Sequence, residues 1–255
     1  MGAVMSTMDH DITEPLVRRI ASVIKISEEE KSAIRELPIR RSEIKADQDV
    51  VREGESPTRM FFIAEGMTAT YKIVSDSRRQ IVGFHLPGDA PDLQSLHLRS
   101  LDVSIATITP STIGFVPHTA ILEVCDRFPR LTTAFWRHTL VDAAIFREWM
   151  ANIGQRSAPT RIAHLLCELF VRFRAVGAAT ADTINFPITQ AEIADSMGLS
   201  SVHVNRSLMG LRAKGYFVLQ DGTLQVLDWE GLQVAGDFSP HYLHLREFGD
   251  LARSS

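Results

Sequence analysis

Thiols are scarce in this chain: of 255 residues only Cys125 and Cys167 are cysteine. Two thiols build neither a disulfide framework nor a four-cysteine zinc or iron–sulfur site within one subunit. They read as small apolar fillers in a reducing compartment, with Cys125, between the sheet-rich region and the helix after it, as the alternative candidate for a reactive thiol. Long apolar runs are missing too. No stretch approaches the roughly 18 to 20 residues that span a bilayer, and residues 1–14 are polar and acidic rather than basic and then apolar. A cytoplasmic protein with no membrane partner is therefore expected. A formal net charge of −4 excludes coating nucleic acid by bulk electrostatics and directs attention to a local patch. No motif gathers a nucleophile, a base and an orienting group, so an enzyme is not expected.

What the chain does have is 45% hydrophobic and 23% charged residues, enough for two ordinary globular cores. From about residue 39 to 116 apolar residues come in short β-branched and aromatic runs, at residues 48–51, 59–63, 68–74, 80–84 and 104–116, broken by glycine, proline and acidic turns. That spacing predicts an antiparallel sandwich or barrel. Ahead of it, residues 14–37 carry helical signals, including Ser27 followed by Glu30. The first unit is taken as residues 1–128.

Beyond Phe128 and Pro129 neither glycine nor proline interrupts the chain until Gly154. A long helix over 129–156 is expected, opened by Pro129. Its apolar residues, among them Phe135, Trp136, Val141, Ile145, Trp149 and Ile153, cover more of the circumference than one buried face needs. Such a helix wants two apolar neighbours, its own barrel and the same helix of a second subunit, which predicts a homodimer, with a central helix of a monomeric core as the alternative.

Residues 157–255 form the third unit. A helix over about 158–176 and a polar loop over 177–185 precede the most informative stretch, residues 188–214. Thr189 with Glu192 reads as a capping box, Ile193 and Met197 point inward, Ala194 admits a close neighbour, Gly198 ends the helix, and Ser200 caps a second one whose core face is Val204, Leu208 and Leu211. Two short helices around a glycine turn form a helix-turn-helix, whose second helix enters the major groove of double-stranded DNA. The expected DNA-binding residues are Thr189, Ser200, Ser201, Val202, His203, Asn205, Arg206, Arg212 and Lys214. Arginine pairs bidentately with guanine, and asparagine with adenine or with a phosphate. Between Arg156 and Glu230 seven basic residues balance seven acidic ones, yet residues 198–215 hold three basic residues and no acid. Asp221-Gly222 between two apolar-rich runs predicts the hairpin of a wing, and Asp228 caps a last helix.

With these pieces in place the chain resembles the Crp/Fnr family of bacterial transcription regulators over nearly its whole length. The matching residues are Val51-Arg52-Glu53-Gly54, Phe62-Ile63-Ala64-Glu65-Gly66, Pro87-Gly88-Asp89, Phe128-Pro129, Arg161-Ile162-Ala163 and residues 188–214. The resemblance implies an α+β chain with an N-terminal double-stranded β-helix (jelly-roll) barrel as sensor, a long dimerisation helix and a C-terminal winged helix-turn-helix. It also implies a homodimer reading an inverted repeat, with RNA polymerase as a further candidate partner. Arg206 stands at the family's guanine-reading arginine, whereas Ser201 and Val202 replace its usual Arg-Glu pair.

The family's cyclic-nucleotide members carry a Gly-Glu pair for the ribose and an Arg-Ser pair for the phosphate. Here Ala90-Pro91-Asp92-Leu93 follows Gly88-Asp89, and Asp102-Val103 stands where Arg-Ser is expected, with Arg99-Ser100 displaced nearby. Asp92, Leu93, Arg99, Ser100 and Asp102 are the candidate effector pocket, and cyclic nucleotide is not the expected effector. The family's oxygen sensors need several cysteines, which are absent. His85, His97, His118 and His138 are the haem-ligand candidates, and His241 with His244 has helical metal spacing but no third ligand; no metal or cofactor is predicted. Two alternatives stand beside a regulator with a sensing barrel: an effector-free regulator, and a small-molecule-binding module whose helix-turn-helix is vestigial.

Overall fold

The computed structural model describes residues 11–245. Two helices open it, α1 (Glu14–Val23), with proline in its first turn, and α2 (Glu28–Arg35). The capping box forms as expected: Glu30 N–H donates to Ser27 Oγ at 3.1 Å, and Ser27 N–H donates to Glu30 Oε2 at 2.6 Å. Their apolar faces (Leu16, Val17, Ile20, Ile34) share a core with Met60, Phe62 and Val116 of the sheets.

The strands form two antiparallel sheets. One has the order β1 (Arg40–Ile44), β7 (Ser111–Pro117), β3 (Arg59–Glu65); the other β2 (Asp49–Val51), β6 (Ser104–Thr107), β4 (Thr68–Val74), β5 (Arg78–His85). Val51, Phe61, Ile63, Leu101, Ile105, Ile113 and Phe115 pack between them, the period-2 burial of a two-layer β unit. The jelly-roll architecture holds, and of the sandwich and the barrel that the spacing allows it takes the form of two facing sheets, not a closed barrel. Register shifts in β2, β3 and β5 bend the strands, as bulges do, without joining the two ladders.

Helix α3 (His118–Arg127) follows β7, then α4 (Pro129–Gln155), 27 residues long and opened by its proline. Next come α5 (Ala158–Ala175), β8 (Thr183–Asn185), α6 (Gln190–Met197), α7 (Ser201–Ala213), β9 (Phe217–Gln220), β10 (Thr223–Val226) and α8 (Trp229–Gly236). Strand β8 lies in the stretch read as a polar loop. It pairs with β10, Ile184 opposite Leu224, and completes a three-stranded sheet. The wing turn is as expected, with φ of +50° at Asp221 and +70° at Gly222, the mirror-image turn that suits strand twist. Asp228 caps α8 by accepting from Gly231 N–H at 2.9 Å.

Helix α5 is the spine, with twelve of its 18 residues buried. One apolar core runs from Met67, just before β4, and Ala69, Ile81 and Phe84 of the four-stranded sheet, past Trp149 and α5, to Ile193, Leu208 and Leu232. The units divided at residue 157 in the sequence are thus joined in space. A buried ionic chain adds to the joint: Arg19 to Asp89 at 2.6 Å, Asp89 to Arg172 at 2.9 Å, Arg172 to Glu168 at 3.1 Å. Glu168 also accepts from Trp149 Nε1–H and Tyr242 O–H, each at 2.9 Å. Burial alone would raise the Asp89 pKa, but Arg19 and Arg172 hold the carboxyl far below the usual range. Among the described residues no helix is long and apolar enough to cross a membrane.

Candidate nucleic-acid interface

Helix α6 begins where the sequence places it. Glu192 N–H donates to Thr189 Oγ at 3.2 Å while Thr189 N–H donates to Glu192 Oε2 at 2.7 Å. It ends at Gly198, φ +63°, a left-handed residue that non-glycine side chains enter at a cost. Ser200 then caps α7, accepting from His203 N–H at 3.4 Å and lying 2.9 Å from His203 Nδ1. The hydroxyls of Thr189 and Ser200 are thereby committed to holding the two helix starts.

Helix α7 buries Val204, Ser207, Leu208 and Leu211 and exposes the opposite side. Ser201, Val202, Asn205, Arg206 and Met209 line one open depression there. The side chains of Arg206 and Arg212 have no hydrogen-bond or ion-pair partner among the described residues; Lys214 lies with its ammonium 6.0 Å from the Tyr216 ring centre. Asn205 Nδ2–H donates to Gln190 Oε1 at 3.3 Å, which joins the face of α7 to the first residue of α6. Two residues of this surface, Met209 and Gln190, were not among those expected. Met209 reads as core in a helix by default, and Gln190 is brought in only by the angle between the helices.

The helix pair is anchored from behind. Arg161 donates through Nη1 to Met197 O at 3.1 Å and through Nε to Arg156 O at 2.8 Å, bracing the end of α6 against the α4–α5 junction. From the other side Arg79 on β5 pairs with Asp195 at 2.9 Å, and Gln80 Nε2–H donates to Ser196 O at 3.2 Å. The sheet unit therefore touches the helix-turn-helix directly.

The expected effector residues are split. Asp92 and Leu93 are buried, while Arg99, Ser100 and Asp102 are exposed. Asp92 Oδ1 accepts from Phe61 N–H at 2.9 Å, Oδ2 has no partner among the described residues, and burial pushes the carboxyl up to about 8. The space between the sheets is filled by the residues of the β core, with the Phe61 and Phe115 rings 6.0 Å apart. Of the haem candidates, His85 lies 2.7 Å from Thr70 Oγ, His118 2.9 Å from Ser95 Oγ, and buried His138 accepts from Ala90 N–H at 3.3 Å; His97 is exposed. Among the described residues no group of three or more histidine, cysteine or acidic side chains could hold a metal ion. Burial raises the Cys125 thiol pKa, opposite to what a reactive thiolate needs.

On the long helix, Phe135, Val141, Ile145 and Trp149 are buried against this chain's own core and Ile153 is half-buried. Of the six residues expected at a dimer seam, Trp136 alone is open, 67% exposed, and the free apolar face continues through Leu140, Phe146 and Met150.

Comparison with known proteins agrees with this anatomy. The family described as "Crp-like helix-turn-helix domain" matches residues 160–235, and "Cyclic nucleotide-binding domain" matches residues 41–128. The nitrogen fixation regulation protein FixK of Bradyrhizobium diazoefficiens is 30% identical over 74% of this chain and 78% of its own length. The transcriptional activator protein Anr of Pseudomonas aeruginosa is 23% identical over 80% and 84%. Among solved structures, FixK2 from Bradyrhizobium japonicum superposes with a TM-score of 0.72 at 22% identity, covering 80% of this chain and all of that one. A CRP-family regulator from Thermus thermophilus superposes at 0.61 with 18% identity, over 78% and 97%. A helix-turn-helix with an exposed, acid-free second helix behind a two-sheet unit and a long helix, in a chain this similar to FixK, places the protein in the Crp/Fnr family of DNA-binding transcription regulators.

Proposed function

We propose that this regulator acts in the cytoplasm as a homodimer on an inverted-repeat operator, paired through the exposed face of α4 and reading each half-site with α7. The observation that carries the reading is the unpaired Arg206 beside Asn205 on a face whose opposite side is core. Arg206 reads a guanine and Asn205 an adenine or a phosphate. Ser201, His203, Arg212 and Lys214 position the backbone, while Thr189 and Ser200 hold the helix starts. RNA polymerase is the remaining partner of this reading.

Cyclic nucleotide is not the effector in this reading. Asp102 and Val103 occupy the phosphate-pair positions, an exposed carboxylate repels an anion, and Phe61, Leu101 and Phe115 take up the space between the sheets. Regulation runs through the contacts by which the sheet unit holds the helix-turn-helix, Arg79 to Asp195 and Arg172 to Asp89. A change there alters the angle of α7 and with it the match to half-site spacing.

Selection of duplexes from random DNA by the full chain tests this. The expected enrichment is a two-fold symmetric site whose half-sites are centred about 10 base pairs apart. Recovery of no common sequence, or of an asymmetric one, contradicts it.

A further inference from the structure

The face of α7 carries more than its two polar readers. Val202, Asn205, Arg206 and Met209 stand at i, i+3, i+4 and i+7, so they share one side of the helix, and they line a common depression. Val202 is 67% and Met209 63% exposed, although the same helix has a core face already filled by Val204, Leu208 and Leu211. Packing within the chain does not account for either. Both are continuous with a surface that meets DNA, and the apolar feature that base edges offer in the major groove is the thymine C5-methyl.

We propose that Val202 and Met209 are a pair of methyl-reading residues, each seated on a thymine, on opposite sides of the guanine that Arg206 contacts. Seven residues of helix advance about 10 Å, and base pairs stack roughly 3.4 Å apart, so the two thymines lie within about three base-pair steps of each other. Either strand can supply them. The half-site is then a guanine flanked on both sides by T·A pairs. The proposal rests on α7 being the groove-reading helix and adds what it reads there.

Deoxyuridine differs from thymidine only by the missing methyl, which makes the test specific. The half-site selected by the full-length protein is synthesised with deoxyuridine replacing one thymine at a time. Binding is expected to weaken about fourfold at each of two thymines flanking the guanine, the value of burying one methyl-sized group. Val202→Ala should abolish that sensitivity at one position and Met209→Ala at the other, each binding the thymine duplex about as the unchanged protein binds the deoxyuridine one. Indifference to deoxyuridine at every flanking position, a selected half-site without thymine there, or variants that keep full sensitivity overturn the methyl pair while leaving sequence-specific binding intact. Failure to enrich any sequence overturns the α7 reading itself and the pair with it, so the two failures are separable. A change of subunit assembly in either variant with deoxyuridine sensitivity retained assigns these residues to a protein partner and overturns the proposal.

Discussion

Asp92 shows how burial rewrites a residue. With one oxygen on Phe61 N–H and the other unpartnered in the interior, its carboxyl is pushed up to about 8, so at neutral pH it is protonated in the fold and ionised in the unfolded chain. Folding then takes up a proton, and stability falls as pH rises from about 4 to about 8, with a limiting slope of about 1.4 kcal/mol per pH unit. Below about 4 both states are protonated and the penalty vanishes. Asp92→Asn should therefore be more stable than the unchanged chain at pH 8, with a gap that closes toward pH 4 in urea titrations; a gap independent of pH would show that Asp92 is ionised in the fold. The sequence marks Asp92 as polar and near a pocket, but its burial is set by the way β3 and the 92–96 turn meet, which no local pattern contains. Arg206 and Asn205 are legible from the sequence because their neighbours Val204 and Leu208 fix which side of α7 faces out.

At the scale of elements, capping and turn chemistry are the readable part. Ser27 and Glu30, Thr189 and Glu192, Gly198, Ser200, Asp221 with Gly222, and Asp228 all act where the sequence places them, because each satisfies backbone groups within a few residues. Strand β8 escapes notice because three residues in a polar stretch have no period of their own, and α3 because only Ile121 on it is buried. The long helix lies between these cases. Its excess of apolar residues is plain in the sequence, but which of them face inward depends on packing against α1, α3 and the C-terminal turn. The face left over, Trp136, Leu140, Phe146 and Met150, is the proposed dimer seam. Leu140→Glu places a charge at its centre, and sedimentation should find single chains where the unchanged protein gives pairs. Unchanged mass would move the seam elsewhere.

Across the whole molecule, the sheet unit and the reading unit share one core and a chain of buried charges. Arg172 sits between Asp89 and Glu168 and donates to Phe84 O at 2.8 Å. Removing it leaves buried Glu168 with no cation and Asp89 with Arg19 alone, so Arg172→Met should cost about 3 to 5 kcal/mol in chemical denaturation; a loss below about 1 kcal/mol would mean the chain of charges does not join the units. This joint is absent from any sequence pattern, since Asp89 and Arg172 meet only after both units fold. In the proposed reading its consequence is that the angle of α7 follows the sheets. The central claim, that α7 reads base edges, meets its most direct test in titrations of the selected operator and its single base-pair variants with Arg206→Ala and Lys214→Ala. Arg206→Ala should lose about 1 to 3 kcal/mol on the operator and become indifferent to one base pair, whereas Lys214→Ala should weaken every duplex alike. Arg206→Ala binding the operator unchanged, with its discrimination intact, would contradict the claim.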